Sequence, residues 1–191
     1  MIKDALVFLS NVLNKIEHTD EGIVAVDNIA RLDDPSFSNK NKVIISLVNI
    51  EEEKTLKNDP FYIRRNDPQN GEQIEKRNPT LYVNLYVLIS CADEYLTALE
   101  RLSIVVEYLQ GKNVFTAANS EPDELYPEKV EKIILDLFSL NFEQINHLWG
   151  ILGGKYVPSV LYKMRLLPIQ YGRTEKVGRV EEISATSNGS N

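Results

Sequence analysis

The chain has 191 residues, a length that fits one domain with a substantial core. Its hydrophobic content of 43 % and charged content of 26 % are those of an ordinary globular protein, and its net charge of −7 argues against a general binder of nucleic-acid phosphates. A single cysteine, Cys91, excludes an intramolecular disulfide and a thiolate metal cluster. The sequence has no signal-peptide pattern and no apolar run of the roughly 20 residues that span a bilayer, which predicts synthesis in the cytoplasm and no membrane partner.

The charge is unevenly distributed along the chain. Between residues 153 and 180 there are six basic residues and one acid, Glu175. The basic residues are Lys155, Lys163, Arg165, Arg173, Lys176 and Arg179. Two interpretations fit this segment: a solvated edge strand and tail, or a surface for an acidic protein partner.

The first elements are a helix and two strands. Apolar residues at spacings of three and four (Ile2, Leu6, Leu9, Leu13 and Ile16) predict a helix of about four turns. Residues 22–27 predict a short strand. Residues 42–50 are apolar on both sides, as is typical of an interior strand.

Residues 51–79 are polar, with seven acids and six bases, and Asn70-Gly71 is a tight-turn signal. They predict a ragged hairpin or a mobile excursion, which either contacts a partner or serves no contact. Glu51, Glu52 and Glu53 begin this stretch. Since consecutive side chains on a strand point to opposite faces, a solvated strand end or a basic partner is favoured over a cation site.

The segment from Leu81 to Ser90 alternates strictly. Leu81, Val83, Leu85, Val87 and Ile89 point one way; Tyr82, Asn84, Tyr86, Leu88 and Ser90 point the other. This pattern predicts a strand with one dry face and one aromatic, partly polar face. The strand contains no acid, base or nucleophile, which indicates assembly rather than chemistry.

A second helix is predicted between Ser90 and Gly111. Ser90 and Asp93 resemble a capping box, and Gly111 supplies a stop through a left-handed cap. The predicted core stripe is Leu96, Leu99, Leu102, Val106 and Leu109.

The remaining elements are a strand over residues 129–137, a helix and a long final strand. Asn141 and Gln144 predict a capped start for the helix, which ends at Gly153-Gly154. The final strand covers Tyr156 to Ile169, and prolines near both of its ends suggest an edge position.

Few strands alternate with helices, so the order of elements predicts an α/β (α+β) fold with a mixed β-sheet and helices on one face. No linker divides the chain. We expect a single domain over residues 1–171 and a flexible C-terminal tail over 172–191.

Catalytic patterns are missing from the sequence. It contains no phosphate-binding loop and no nucleophile elbow around a serine, and His18 and His147 lack partners at a useful spacing. We therefore predict no enzyme, no cofactor and no metal. A small hydrolase or ligand-binding domain is the least favoured alternative, because no set of convergent polar groups is evident.

Several segments together resemble a known family. They are Asn49-Ile-Glu-Glu52 with Asn58, Arg77-Asn-Pro-Thr-Leu-Tyr-Val-Asn-Leu-Tyr86, Tyr95-Leu-Thr-Ala-Leu-Glu-Arg-Leu-Ser103, Val114-Phe115, and Pro158-Ser-Val-Leu-Tyr162. Over residues 5–170 the chain is similar to the N-terminal domain of the cap proteins of extracellular contractile injection systems, of the antifeeding prophage and Photorhabdus virulence cassette type. It departs from the family pattern at Thr80, where a second proline is common.

The resemblance implies a terminator-like α/β fold and a structural role. It implies a hexameric ring on the membrane-distal end of the particle, where the protein ends the inner tube and the sheath, with sheath and tube proteins as partners. A head–tail or tail-completion protein of a contractile-tailed phage is the alternative function.

From these inferences we predict a set of residues at a partner or oligomer interface. The set is Asn49, Glu51, Asn58, Asn78, Tyr82, Asn84, Tyr86, Tyr162, Lys163, Arg165 and Arg173. Core packing against a helix is the alternative for about half of the strand tyrosines.

Overall fold

A computed structural model describes residues 1–16, 22–56, 62–67, 71–169 and 174–179. The chain divides into two compact units. Unit 1 comprises Met1–Glu53 and Tyr82–Ile169, and unit 2 comprises Lys54–Leu81 and Gln170–Asn191. The domain boundary expected after residue 171 stays a prediction.

The described residues form three α-helices and nine strands. The helices are α1 (Ile2–Leu13), α2 (Tyr95–Gly111) and α3 (Phe142–Ile151). The strands are β1 (Val24–Val26), β2 (Val43–Glu52), β3 (Tyr62–Asp67), β4 (Gly71–Arg77), β5 (Leu81–Cys91), β6 (Val114–Phe115), β7 (Ile133–Leu137), β8 (Ser159–Ile169) and β9 (Thr174–Arg179). The helix predicted at the start of the chain is thus one turn shorter than expected.

A six-stranded mixed sheet forms the body of unit 1, with strand order β1-β2-β5-β8-β7-β6. β1 is parallel to β2, whereas β2–β5, β6–β7 and β7–β8 are antiparallel. This confirms the predicted α/β fold with a mixed sheet. The predicted edge position of β8 is wrong, because β8 lies between β5 and β7; Pro158 precedes the strand and contributes a carbonyl that accepts a hydrogen bond from the Cys91 N–H at 3.1 Å.

The alternation predicted for β5 is confirmed. Val83, Leu85, Val87 and Ile89 are buried on one face, in a core that they share with α1 and α2. The opposite face carries Leu88 in a second core with Trp149 of α3. Polar Asn84 and half-buried Tyr86 continue that opposite face.

The helices therefore cover both faces of the sheet, which corrects the expectation that they share one. β2 illustrates the reason: Val43 and Ile45 belong to the core under α1 and α2, while Ile44 between them belongs to the core under α3. Successive side chains of a strand point to opposite faces, so a strand that is apolar throughout needs a cover on each side. Two described helices supply one cover and the third supplies the other.

The predicted core stripe of α2 is only partly correct. Leu102 and Leu109 are buried, but Leu96 is 74 % exposed and Leu99 is 39 % exposed. Ala98 and Val105 lie in the core instead of Leu96 and Leu99. The predicted caps are also wrong: Ser90 lies inside β5, Glu94 precedes the helix without a side-chain cap, and Lys112 after Gly111 is extended.

α3 begins as predicted. The Asn141 side chain accepts a hydrogen bond of 2.8 Å from the Gln144 N–H, and the Gln144 side chain accepts one of 2.9 Å from the Asn141 N–H. After the helix, Gly153 and Gly154 have φ angles of +108° and +77°, which favour glycine. His147 is exposed on this helix.

Unit 2 contains a three-stranded sheet with order β3-β4-β9. β3 and β4 form an antiparallel hairpin, one of the two alternatives predicted for residues 51–79, with Asp67 opposite Gly71. β9 pairs antiparallel with β4 and lies inside the stretch that the sequence predicts as a tail. Its polar sequence gave no strand signal, because the strand depends on main-chain pairing with β4.

Candidate functional site: a tyrosine-centred sheet face

The candidate site lies on the face of the main sheet that α1 and α2 leave uncovered. In β8, Tyr162 and Met164 point into the first core, so Lys163 between them points to the other side. In β5, Tyr86 stands on that same side because its neighbours Leu85 and Val87 face the core. Beyond the second core under α3, this face is polar and aromatic.

We define the tyrosine face by six residues from four adjacent strands. They are Glu51, Asn84, Tyr86, Asp136, Lys163 and Arg165. A shift in register between Leu47 and Asn49 brings Asn49 opposite Tyr86 and Glu51 opposite Asn84. Without this irregularity, Asn49 and Glu51 would lie on the opposite face of the sheet from Tyr86 and Asn84.

A three-residue contact lies at the centre of the face. The Tyr86 hydroxyl donates a hydrogen bond of 2.8 Å to Oε2 of Glu51, and the Lys163 ammonium donates one of 3.0 Å to the same oxygen. The Lys163 Nζ also lies 5.4 Å from the centroid of the Tyr86 ring, within the range of a cation–π interaction. The contact joins β2, β5 and β8 through their side chains.

The electrostatics of the three groups are mutually consistent. Hydrogen bonds from Lys163 and then Tyr86 lower the pKa of the Glu51 carboxyl. The hydrogen bond to Glu51 raises the pKa of Lys163. Burial, and then the bond to Glu51, raises the pKa of the Tyr86 phenol. At neutral pH the contact therefore holds a carboxylate, an ammonium and a protonated phenol.

Polar and aromatic contacts continue on both sides of this centre. Arg165 pairs with Asp136 of β7 at 3.3 Å. The Phe138 ring, just after β7, packs edge-on against the Tyr86 ring at 5.1 Å between centroids. The Asn84 amide donates a hydrogen bond of 3.0 Å to Glu53, and Asn84 is only 1 % exposed.

The structure brings five of the predicted interface residues together: Glu51, Asn84, Tyr86, Lys163 and Arg165. Asn49 is exposed beside them on β2, and Tyr82 is half-buried on β5. Asn78 is exposed in unit 2. Tyr162 belongs to the core under α1 and α2, as the alternative for the strand tyrosines allowed. Asn58 and Arg173 lie outside the described residues, and the role of the whole set stays a prediction.

Asp136 and Phe138 were not among the predicted interface residues. Asp136 pairs in register with Lys163 of β8, and Phe138 follows directly after β7. Alternation within β7 places Asp136 on the face of the strand opposite to that of the buried Ile133 and Leu135. This alternation was visible in the sequence. The pairing of β7 with β8 could not be predicted from the pattern of either strand.

The tyrosine face combines an aromatic ring, an amide and paired charges. Its defining residues include no serine, cysteine or histidine, and both of its basic groups are hydrogen-bonded to acids. Tyrosine and arginine are enriched at protein interfaces, where they supply contact area and hydrogen bonds together. In the part of the chain that the structure describes, no group of three or more His, Cys, Asp or Glu residues could hold a metal ion. The described helices also include none that is long and apolar enough to span a bilayer.

The fold is that of the terminators of contractile injection systems. The sheath/tube terminator of the PVC extracellular contractile injection system, in its extended state, matches with a TM-score of 0.63 and 15 % identity, over 100 % of this chain and 64 % of that chain. The tube-terminating cap of the anti-feeding prophage matches with a TM-score of 0.57 and 17 % identity, over 93 % of this chain and 60 % of that chain. The protein thus spans less than two thirds of the length of either terminator.

The sequence shows the family. The model of the Pvc16 N-terminal domain matches residues 6–182, so this chain belongs to the Pvc16 N-terminal domain family. A comparison with curated proteins gives no significant match. The resemblance that the sequence motifs indicated is confirmed.

Proposed function

We propose that this protein is the tail terminator of a phage-tail-like contractile injection particle. It ends the inner tube and the sheath by forming a hexameric ring at the membrane-distal end and by adding strands to the last sheath layer. The observation that carries the proposal is the family match over residues 6–182, together with a fold shared with two terminators. The role is structural and involves no catalysis.

A terminator has to close on itself and refuse further units. A closed ring of identical chains needs two different, matching patches on each subunit. Two exposed apolar sites on opposite sides of the main sheet support this arrangement: Leu96 on α2 is 74 % exposed and Phe142 on α3 is 91 % exposed. Tyr95 and Leu99 are also exposed beside Leu96 on α2, and contiguous apolar surface of this kind is typical of surfaces that are covered in an assembly.

The tyrosine face is the proposed contact with the sheath or tube. Its ion pairs restrain Lys163 and Arg165, so these side chains lose less conformational entropy when a partner binds than unpaired side chains would. Asn49 and Tyr82 are proposed to extend this contact. Asn78, Asn58 and Arg173 are proposed as further interface residues of the assembly.

The test is assembly of the particle in cells that lack the gene. We expect overlong or uncapped tubes in the absence of the protein and tubes of uniform length when the gene is restored. Purified protein should bind assembled tube–sheath particles that lack a cap. Particles that end cleanly without the gene, together with purified protein that binds neither tube nor sheath, would contradict the proposal.

A matched pair of variants separates the tyrosine face from general charge effects. Arg165→Glu reverses a charge within the face, whereas Lys155→Glu reverses one on a side chain that is 64 % exposed and outside it. We expect Arg165→Glu to lower binding to capless particles and Lys155→Glu to leave it unchanged. Equal effects of the two substitutions would remove the face from the proposal.

A further inference from the structure

The first residues of β8 extend beyond the end of its antiparallel neighbour β7. Part of the β8 edge is therefore open. The ladder between the two strands ends where Leu137 pairs with Tyr162. The last main-chain bond runs from the Phe138 N–H to the Leu161 carbonyl, at 2.8 Å. Ser159, the first residue of β8, therefore lies beyond the end of β7.

The open main-chain groups can be assigned to Ser159. The Pro158 carbonyl accepts a hydrogen bond from Cys91 of β5, and the Leu161 carbonyl accepts one from the side of β7. Main-chain groups of successive residues in a strand point to alternate sides, so the N–H and C=O of Ser159 point to the side of β7. Within the described ranges no strand residue pairs with Ser159 on that side. An unpaired edge of this kind is a template for another strand.

An apolar groove flanks this edge on each face of the sheet. On one face, α2 and residues 156 and 158–160 line an open groove of about 500 Å³, whose helical wall includes Leu99, Leu102 and Val106. On the other face, a groove of about 300 Å³ lies beside α3 and is lined by Phe138, Leu140 and Leu148. Ser159 lines both grooves. A strand added at this edge would direct alternate side chains into the two grooves.

The charge beside the first groove is negative. Glu107 lines the groove from α2 and is exposed, and no described residue forms an ion pair with it. Glu94 and Glu100 are also exposed on or beside this helix. The basic residue of the helix, Arg101, is already paired with Asp93 at 2.5 Å. A strand that carries a lysine or arginine opposite Glu107 would complement this surface.

We propose that the open edge of β8 at Ser159 accepts an extended segment of the sheath subunit. The segment has apolar side chains at alternate positions, which enter the two grooves, and a basic residue that pairs with Glu107. Main-chain hydrogen bonds to Ser159 supply the joint, as in other cases of strand addition. The choice of the sheath as the source of the segment rests on the proposed function.

The main-chain part of the joint is tested with Ser159→Pro. Proline removes the N–H that points to the open edge, and it is tolerated at the first residue of a strand. Since that N–H points away from β5, the pairing of β8 with β5 is retained. Ser159→Ala, which keeps the N–H, is the reference variant. Thermal unfolding by circular dichroism verifies that both variants are folded.

The electrostatic part is tested with Glu107→Lys, which is independent of any effect of proline on folding. Glu100→Lys makes the same change seven residues earlier on α2, outside the groove. Each full-length variant is mixed with capless tube–sheath particles and with isolated sheath and tube subunits, and the bound fraction is measured by sedimentation. We expect binding to sheath to fall about tenfold for Ser159→Pro relative to Ser159→Ala, as for one unmet main-chain hydrogen bond. Glu107→Lys should also weaken it, while Glu100→Lys should match the wild-type protein.

Several results would overturn the inference. If the wild-type protein binds sheath and both Ser159→Pro and Glu107→Lys bind equally well, the edge is not the joint, while the proposed function stands. If Ser159→Pro abolishes binding to tube subunits or self-association and leaves sheath binding intact, the sheath is the wrong occupant. If the wild-type protein binds neither sheath nor tube, the inference and the proposed function both fail.

Discussion

The Tyr86 hydroxyl donates a hydrogen bond of 2.8 Å to Oε2 of Glu51, so an aromatic side chain of β5 is tied to the acidic end of β2. The same oxygen accepts a hydrogen bond from Lys163 of β8. Three neighbouring strands are thereby joined on the side of the sheet that helices α1 and α2 do not cover. This contact has a pH dependence that can be measured.

The stability of the sheet should fall as acid protonates Glu51. The pKa of Glu51 is lowered below the ordinary value of 4.5, so its contribution is fully present above pH 4.5 and is lost as pH falls through the lowered pKa. Glu51→Gln should therefore be less stable than the wild-type protein at pH 7, and the difference should shrink on acidification. Urea denaturation between pH 7 and pH 3 measures this, with Glu100→Gln as the control. A difference that stays constant over this range would show that the contact does not act through the charge of Glu51.

Leu85→Asp should prevent folding of unit 1. Leu85 is fully buried on the dry face of β5, where an unpaired carboxylate would have no compensating partner. Leu137→Asp, at a position that is 57 % exposed, should fold normally. Circular dichroism and size-exclusion chromatography distinguish these outcomes. A soluble Leu85→Asp protein with cooperative unfolding would mean that the register of β5 is wrong.

Truncation of a leucine side chain should affect stability differently on the buried and exposed sides of α2. Leu102→Ala should lower the free energy of unfolding by about 2–5 kcal/mol, because it leaves a cavity in the core under the helix. Leu96→Ala should change it by no more than about 0.5 kcal/mol, as is usual for exposed positions. Chemical denaturation measures both. Equal losses of unfolding free energy would mean that Leu96 lies in the core, as the sequence predicted.

The cap of α3 should contribute measurably to stability. Asn141→Ala removes the side chain that accepts a hydrogen bond from the Gln144 N–H and should cost about 0.5–2 kcal/mol. Asn146→Ala, at an exposed position within the same helix, is the matched control, since alanine has the higher helix propensity there. If both variants unfold at the same denaturant concentration, the cap has no energetic role.

Removal of residues 170–191 should have a local effect. Unit 1 draws its cores from residues before 170, so its cooperative unfolding should persist. β4 would lose its pairing with β9 and remain in a two-stranded hairpin with β3, which is marginal in water. Hydrogen exchange should then accelerate for the amides of Gln73–Arg77. Unchanged protection there would contradict the pairing of β4 with β9.

The sequence correctly predicted those elements whose residue pattern is compatible with only one structural arrangement. Strict alternation in β5 defined its dry face correctly, and the Asn141–Gln144 pair located the start of α3. In α2 the pattern has two solutions, because Leu96 and Leu99 form one apolar stripe and Ala98 and Val105 form another beside it. Only packing against the sheet decides between them, and it buries Ala98 and Val105.

The candidate site was harder to predict because it depends on register. Glu51, Tyr86 and Lys163 are distant in sequence and meet only through the order β2-β5-β8 and the irregularity after Leu47. Alternation alone could assign Lys163 to a face of its strand, but it could not identify the neighbour that the side chain contacts. β9 was missed for a similar reason, since main-chain pairing leaves no trace in the polarity of a strand.

The pairing of β9 with β4 has a consequence for synthesis on the ribosome. Residues 71–77 emerge early, yet their partner at residues 174–179 emerges only after every strand of the main sheet has been translated. The small sheet of unit 2 is consequently the last part of the described chain to be completed. A nascent polypeptide lacks this sheet, and a binding surface that includes it becomes available only on chains translated at least as far as residue 179.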